Sequence, residues 1–179
     1  TGTPTITLSN SDTASYASGS GSTAIVFTTT VASGDTDASD LSVSSITPSA
    51  GGATMADAAG NTIATTLSSS DLGSVIVDGN VPSLSSVAAT DAAYGVGETL
   101  SITVTWGEAV VVSGTPTLTL SNGDTASYAS GTGSTALVFT TTVASSDTGS
   151  SDLSVSSYSG TIADAAGGAA GAASGDLGA

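Results

Sequence analysis

The chain of 179 residues contains no lysine, arginine, histidine or cysteine. The first three absences leave 15 carboxylates and a formal charge of −15 with no cationic side chain, so every counter-charge must come from solvent ions or bound metal. Nothing in the chain could neutralise phosphate, which excludes nucleic acid and an anionic membrane surface as partners. No histidine or lysine is present to activate the many serines and threonines as nucleophiles. The lack of cysteine removes disulfides, thiolate metal sites and thiol catalysis together. Aromatics are scarce too: one Trp, two Phe and four Tyr. The 39% hydrophobic content is mostly Ala and Val, so cores must be thin and built from small side chains. No window has the apolar length of a membrane span and no signal peptide opens the chain, so membrane insertion is not expected and any export signal is expected outside this stretch.

What is present is a repeat. Gly114 to Ser157 restates Gly2 to Ser45 with seven changes: Ile6/Leu118, Ser11/Gly123, Ser20/Thr132, Ile25/Leu137, Gly34/Ser146, Asp37/Gly149 and Ala38/Ser150. The offset from Gly2 to Gly114 is 112 residues, far beyond the roughly 20 to 50 residues of solenoid units. Each copy should therefore be a folded domain with its own core.

Short alternating runs separated by turn residues predict an all-β sandwich of about seven strands, A to G. In the second copy, A is expected over 82–88 and B over 99–106, where Leu100, Ile102, Val104 and Trp106 share one face. A connection through Glu108 leads to C at 116–120. Asn122-Gly123 suits a tight hairpin into D at 125–128. E follows over 136–143, then an acidic loop from Ala144 to Asp152, F from Leu153, a loop at 163–167 and a weak G. In this frame Thr1 aligns with Ser113, so residues 1–76 form the later part of a repeat without strands A and B, and 77–179 form a complete repeat. Residues 1–74 would then expose unpaired sheet edges. Either a neighbouring subunit donates strands to them, which would build a fibre, or the stretch is a window cut from a longer array.

Five motifs in order invite a family: Val77-Asp-Gly-Asn-Val-Pro82, Tyr94-Gly-Val-Gly-Glu-Thr-Leu100, Val104-Thr-Trp-Gly-Glu-Ala-Val110, Gly114-Thr-Pro-Thr-Leu-Thr-Leu120 and Ala56-Asp-Ala-Ala-Gly-Asn61. Together they resemble the Ig-like repeats of giant bacterial surface proteins, the biofilm-associated and RTX-type adhesins. The resemblance implies tandem Ig-like (Greek-key) β-sandwich domains in an elongated extracellular array, with calcium stiffening the junctions. Two departures stand out. The second copy reads Asp164-Ala-Ala-Gly-Gly168, losing the counterpart of Asn61, and the linker reads Asp-Gly-Asn-Val-Pro where the family more often has Asp-Thr-Thr-Ala-Pro.

Topology supports the calcium expectation without the family. The start of A, the B to C connection and the F to G loop share one pole of a seven-stranded sandwich, which gathers Asp78, Glu108 and Asp164, with Asn80 able to add a carbonyl. Calcium takes six to eight oxygens, and hard oxygen ligands are the only kind this sequence offers. The preceding domain would bring Asp35, Asp37, Asp40 and Asp71 to the same junction. Asp57, the counterpart of Asp164, would serve the next junction upstream. Against this stands the ordinary use of Asp as a turn former. A catalytic carboxylate pair is not expected, since Glu98 and Glu108 flank strand B about 30 Å apart, beyond the roughly 5 to 9.5 Å of a glycosidase pair.

The reading that follows is a non-enzymatic spacer in a secreted or cell-surface adhesin or extracellular filament, with neighbouring repeats as partners. Two alternatives remain: a subunit of a strand-exchanged fibre or surface layer, and a carbohydrate- or surface-binding adhesin module. Exposed aromatics among Tyr16, Tyr94, Tyr128 and Tyr158 would favour the last.

Overall fold

The computed structural model describes residues 3–37, 40–48, 54–67, 70–147, 152–171 and 175–176. It is all-β, with antiparallel pairing throughout and no helix among the described residues. The chain divides into two compact units, Thr1–Asn80 and Val81–Ala179.

The first unit holds β1 (Thr5–Leu8), β2 (Thr13–Ser18), β3 (Val26–Thr28), β4 (Thr36–Asp37), β5 (Val43–Thr47) and β6 (Val77–Asp78). Four of them form a sheet in the order β3-β2-β1-β5, and β4 pairs with β6 separately. Leu8, Ala14 and Leu41 are its buried apolar residues. The β1–β2 hairpin is closed by Leu8 N–H donating to the Asp12 carbonyl at 2.8 Å, and Ser11 carries it at φ 74°. In the second unit Gly123 takes the equivalent place at φ 93°, the third residue of a three-residue loop that ends in a left-handed conformation. A serine there is sterically disfavoured; a glycine is not.

The second unit is organised by one strand. β8 runs from Thr99 to Leu120, flanked by β7 (Leu84–Ala89) before it and β9 (Thr125–Ser130), β10 (Ser134–Thr142), β11 (Ser154–Ala163) and β12 (Gly175–Asp176) after it. At 22 residues it is far longer than the usual five or six, and would span about 70 Å if straight. Its even-numbered side chains supply the core: Leu100, Ile102, Val104, Trp106, Val110, Leu118 and Leu120 are all buried and belong to one cluster. Its backbone, in contrast, changes partners halfway. The first part pairs with β7 and with β10, and the second with β9 and with β11. Two sheet faces thus close on one shared core, an arrangement consistent with a β-sandwich. Leu137, Phe139, Val155 and Ile162 complete it, and Trp106 meets Tyr158 edge to face at 6.3 Å.

Sequence periodicity separates strands B and C by a connection, whereas the chain passes from one to the other without leaving extended conformation. The β-branched run Val110-Val-Val112 keeps the backbone in the pleat. What remains of the connection is a bulge. Thr105 pairs with Ala136 and Val110 with Ser134, so Trp106, Gly107, Glu108 and Ala109 face the single residue Thr135. The expected weak last strand is β12, which pairs with β11 through Val155↔Gly175. The acidic loop after β10 lies in part, at 148–151, outside the described residues.

Candidate metal centre

Glu108 sits in the β8 bulge at an even position, the phase that elsewhere on this strand points into the core. It is half-buried where its neighbours in phase, Trp106 and Val110, are buried apolar residues. Bulges re-aim side chains in this way beside functional sites.

Asp164 follows directly on β11. Ile162 pairs with Val112 and Ala163 with Val111, so the next residue falls beside Val110, close to the bulge. Its loop is tied by its own backbone: Asp164 N–H donates to the Gly168 carbonyl at 3.0 Å, and Gly168 N–H donates to Asp164 Oδ1 at 2.9 Å. Asp164 is only 5% exposed and is the one buried charged residue among those described. Its second oxygen, Oδ2, is buried with no hydrogen-bond partner. A buried carboxylate oxygen without a donor is costly unless a cation meets it.

Carboxylate oxygens of Glu108 and Asp164 come within 4.8 Å of each other. At an effective dielectric of about 20, two unit charges at that distance repel by roughly 3.5 kcal/mol. With no Lys, Arg or His in the chain, relief must come from outside the polypeptide. The chain also enters the second unit at this pole. Gly107 N–H donates to the Ser83 carbonyl at 2.8 Å and Gly171 N–H to that of Pro82 at 3.2 Å, which holds residues 82–83 beside the bulge and the loop after β11.

The remaining candidates belong to the first unit. Asp78 lies on β6 opposite Thr36, half-buried, its Oδ1 accepting the Asn80 N–H at 3.1 Å. Asn80 is exposed. β4 therefore places Asp35 and Asp37 on either side of the residue paired with Asp78, and Gly79 N–H donates to the Asp35 carbonyl at 2.7 Å. The Asp35 carboxylate caps its own turn by accepting from Ala32 N–H. The side chain of Asp37 lies outside the described residues. Asp40 is exposed, and Asp71 is exposed with Oδ1 accepting from Gly73 N–H at 2.7 Å.

Asp57, the counterpart of Asp164, is exposed and fully partnered. Its Oδ1 accepts from Ala59 N–H at 2.9 Å and Asn61 N–H at 2.8 Å, and its Oδ2 from the Asn61 side-chain amide at 2.8 Å. Those bonds, the Asn61 side chain first, hold its carboxyl below the ordinary aspartate value. Sequence reasoning marked the lost asparagine at Gly168. It did not anticipate that the loss leaves a buried oxygen bare.

Searches against family models, curated proteins and solved structures found no match for this chain.

Proposed function

We propose that the chain is a structural repeat: a pair of Ig-like β-sandwich units, of which the second is complete, serving as a spacer in a secreted or cell-surface adhesin or extracellular filament and stiffened by calcium. The carrying observation is the buried Asp164 carboxylate, whose bare Oδ2 lies in a group with Glu108 and no side-chain cation. Asp78 is the third ligand of this reading, since it stands five residues before Ser83 and chain length alone keeps it within about 17 Å of that pole. Asn80 adds a carbonyl on the same short linker. A cation held by both the linker and the sandwich it enters would remove the freedom of the joint, which is what a spacer needs.

The strand pairing supports the Ig-like assignment. With β7, first-half β8, β10 and β9 as A, B, E and D, and second-half β8, β11 and β12 as C, F and G, the neighbours are A-B-E-D and C-F-G, with C also pairing D through the β8–β9 hairpin. A non-catalytic role fits the absence of histidine, lysine and cysteine. A sugar-binding platform draws no support, because every Tyr, Phe and Trp among the described residues is half-buried or buried.

The test is calcium titration of the wild type, Glu108→Gln and Asp164→Asn, read by calorimetry and by unfolding of the second unit through Trp106 fluorescence. The wild type should gain about 2.7 kcal/mol at a hundredfold excess of calcium over its dissociation constant. Both variants should gain much less. A wild type as stable in chelator as in calcium would end this reading.

A further inference from the structure

The two copies offer the same strands to different surroundings. In the second unit, β10 is paired on both edges: Phe139 with Tyr128 of β9 on one side, and Leu137, Val138 and Phe139 with Val104, Thr103 and Ile102 of β8 on the other. Its counterpart in the first unit, β3, pairs only with β2 among the described residues. The face that β8 covers in the second unit is correspondingly open in the first. Leu137 and Phe139 are fully buried, whereas their counterparts Ile25 and Phe27 are 39% exposed and half-buried. Val26 is 48% exposed and Val31 50%. Beside this edge lies a groove of about 810 Å³ lined by Pro4, Tyr16, Ile25, Met55, Ala56 and Ile63. In the second unit the matching residues Pro116, Leu137, Ile162 and Ala170 are buried, the last three in one core cluster with Trp106 and Val110.

We infer that the groove and the free edge of β3 form an acceptor for an extended strand of the type Thr99–Val110, adding antiparallel to β3. The second unit supplies the register. An incoming Val104, Thr103, Ile102 and Ser101 would stand opposite Ile25, Val26, Phe27 and Thr28, and the large apolar residues at 100, 102, 104 and 106 would fill the groove. The occupant is an extended segment with large apolar residues at alternate positions, as Thr99–Val110 has, and is not the β8 of a second copy. Each chain carries one such segment, and it is already built into β8; giving it away would open one groove for every groove it filled. The inference does not rest on the Glu108–Asp164 calcium reading, because the groove contains neither residue; it does border Asp57, whose carboxylate oxygens are already taken up by Ala59 and Asn61.

The experiment adds a synthetic peptide of sequence 99–110 to the full chain. The expected result is one peptide bound per chain, with amide exchange of Val26–Thr28 slowed about tenfold or more. A peptide carrying Ser at both Ile102 and Val104 should not bind, nor should the Ile25→Asp chain bind the natural peptide; Ile25 is exposed enough for that chain to fold. Absence of binding overturns the proposal, as does protection confined to β9–β11. A concentration-dependent dimer that already protects β3 and resists the peptide overturns it as well, and would assign the edge to a second copy.

Discussion

Phe27 and Phe139 sit in the same sequence, Val-Phe-Thr-Thr-Thr-Val, and meet the same tyrosine edge to face, at 6.4 Å for Tyr16 and 5.9 Å for Tyr128. Yet Phe139 is fully buried and Phe27 only half-buried, because only β10 has a strand on its far side. Local sequence dictates the hairpin and the aromatic pair in both copies. Burial is decided by a segment far away in sequence. A second contrast runs the other way: Asp57 and Asp164 occupy the same turn, but the donor that Asn61 gives to Asp57 Oδ2 has no counterpart at Gly168, and Asp164 Oδ2 is bare in a buried place where Asp57 is exposed.

Truncating the two phenylalanines tests the first contrast most severely. Phe139→Ala should destabilise the second unit by about 3–5 kcal/mol, and Phe27→Ala should cost the first unit less than about half of that. Denaturant unfolding followed by residue-resolved exchange separates the units; equal losses would show that the open face of the first unit is not open in solution. Gly168→Asn addresses the second contrast. A side-chain amide donating to Asp164 Oδ2 should stabilise the calcium-free second unit by about 1–2 kcal/mol and blunt its response to calcium. Ser11→Gly should stabilise the first unit by about 0.5–1 kcal/mol by relieving the positive φ, a gain that the second unit already has in Gly123.

The smallest expected effect concerns pH. Because hydrogen bonds, the Asn61 side chain first, lower the folded-state pKa of Asp57, its contribution is complete above the ordinary aspartate value. It is lost as pH falls through the lowered value, below about pH 4. Asn61→Ala should move the Asp57 midpoint, followed by side-chain carboxyl NMR, back up toward the ordinary value. A midpoint that stays put would mean that the backbone donors alone set it.

Much of the second unit was legible in its alternation. Leu100 to Trp106 read as one buried face because period two survives wherever one side of a strand meets a core. The same argument placed Trp106 inside. The join between strands B and C was not legible, because turn-forming Gly107 and Gly114 flank a β-branched run and only the partners of β8 decide whether such a stretch bends or bulges. The pairing of Glu108 with Asp164 followed from topology. The burial of Asp164 did not, since a loop aspartate carries no sequence mark of depth. Nor did the role of Tyr158, whose hydroxyl donates to the Ala170 carbonyl at 2.8 Å and whose ring meets Trp106.

The uninterrupted course of β8 bears on how the second unit would carry load. Its first half is bonded to β7 and β10 and its second half to β9 and β11, so tension entering at either end is shared by four neighbours through a single covalent strand with no slack loop to pay out first. Under force such a unit should yield in one step and not half by half.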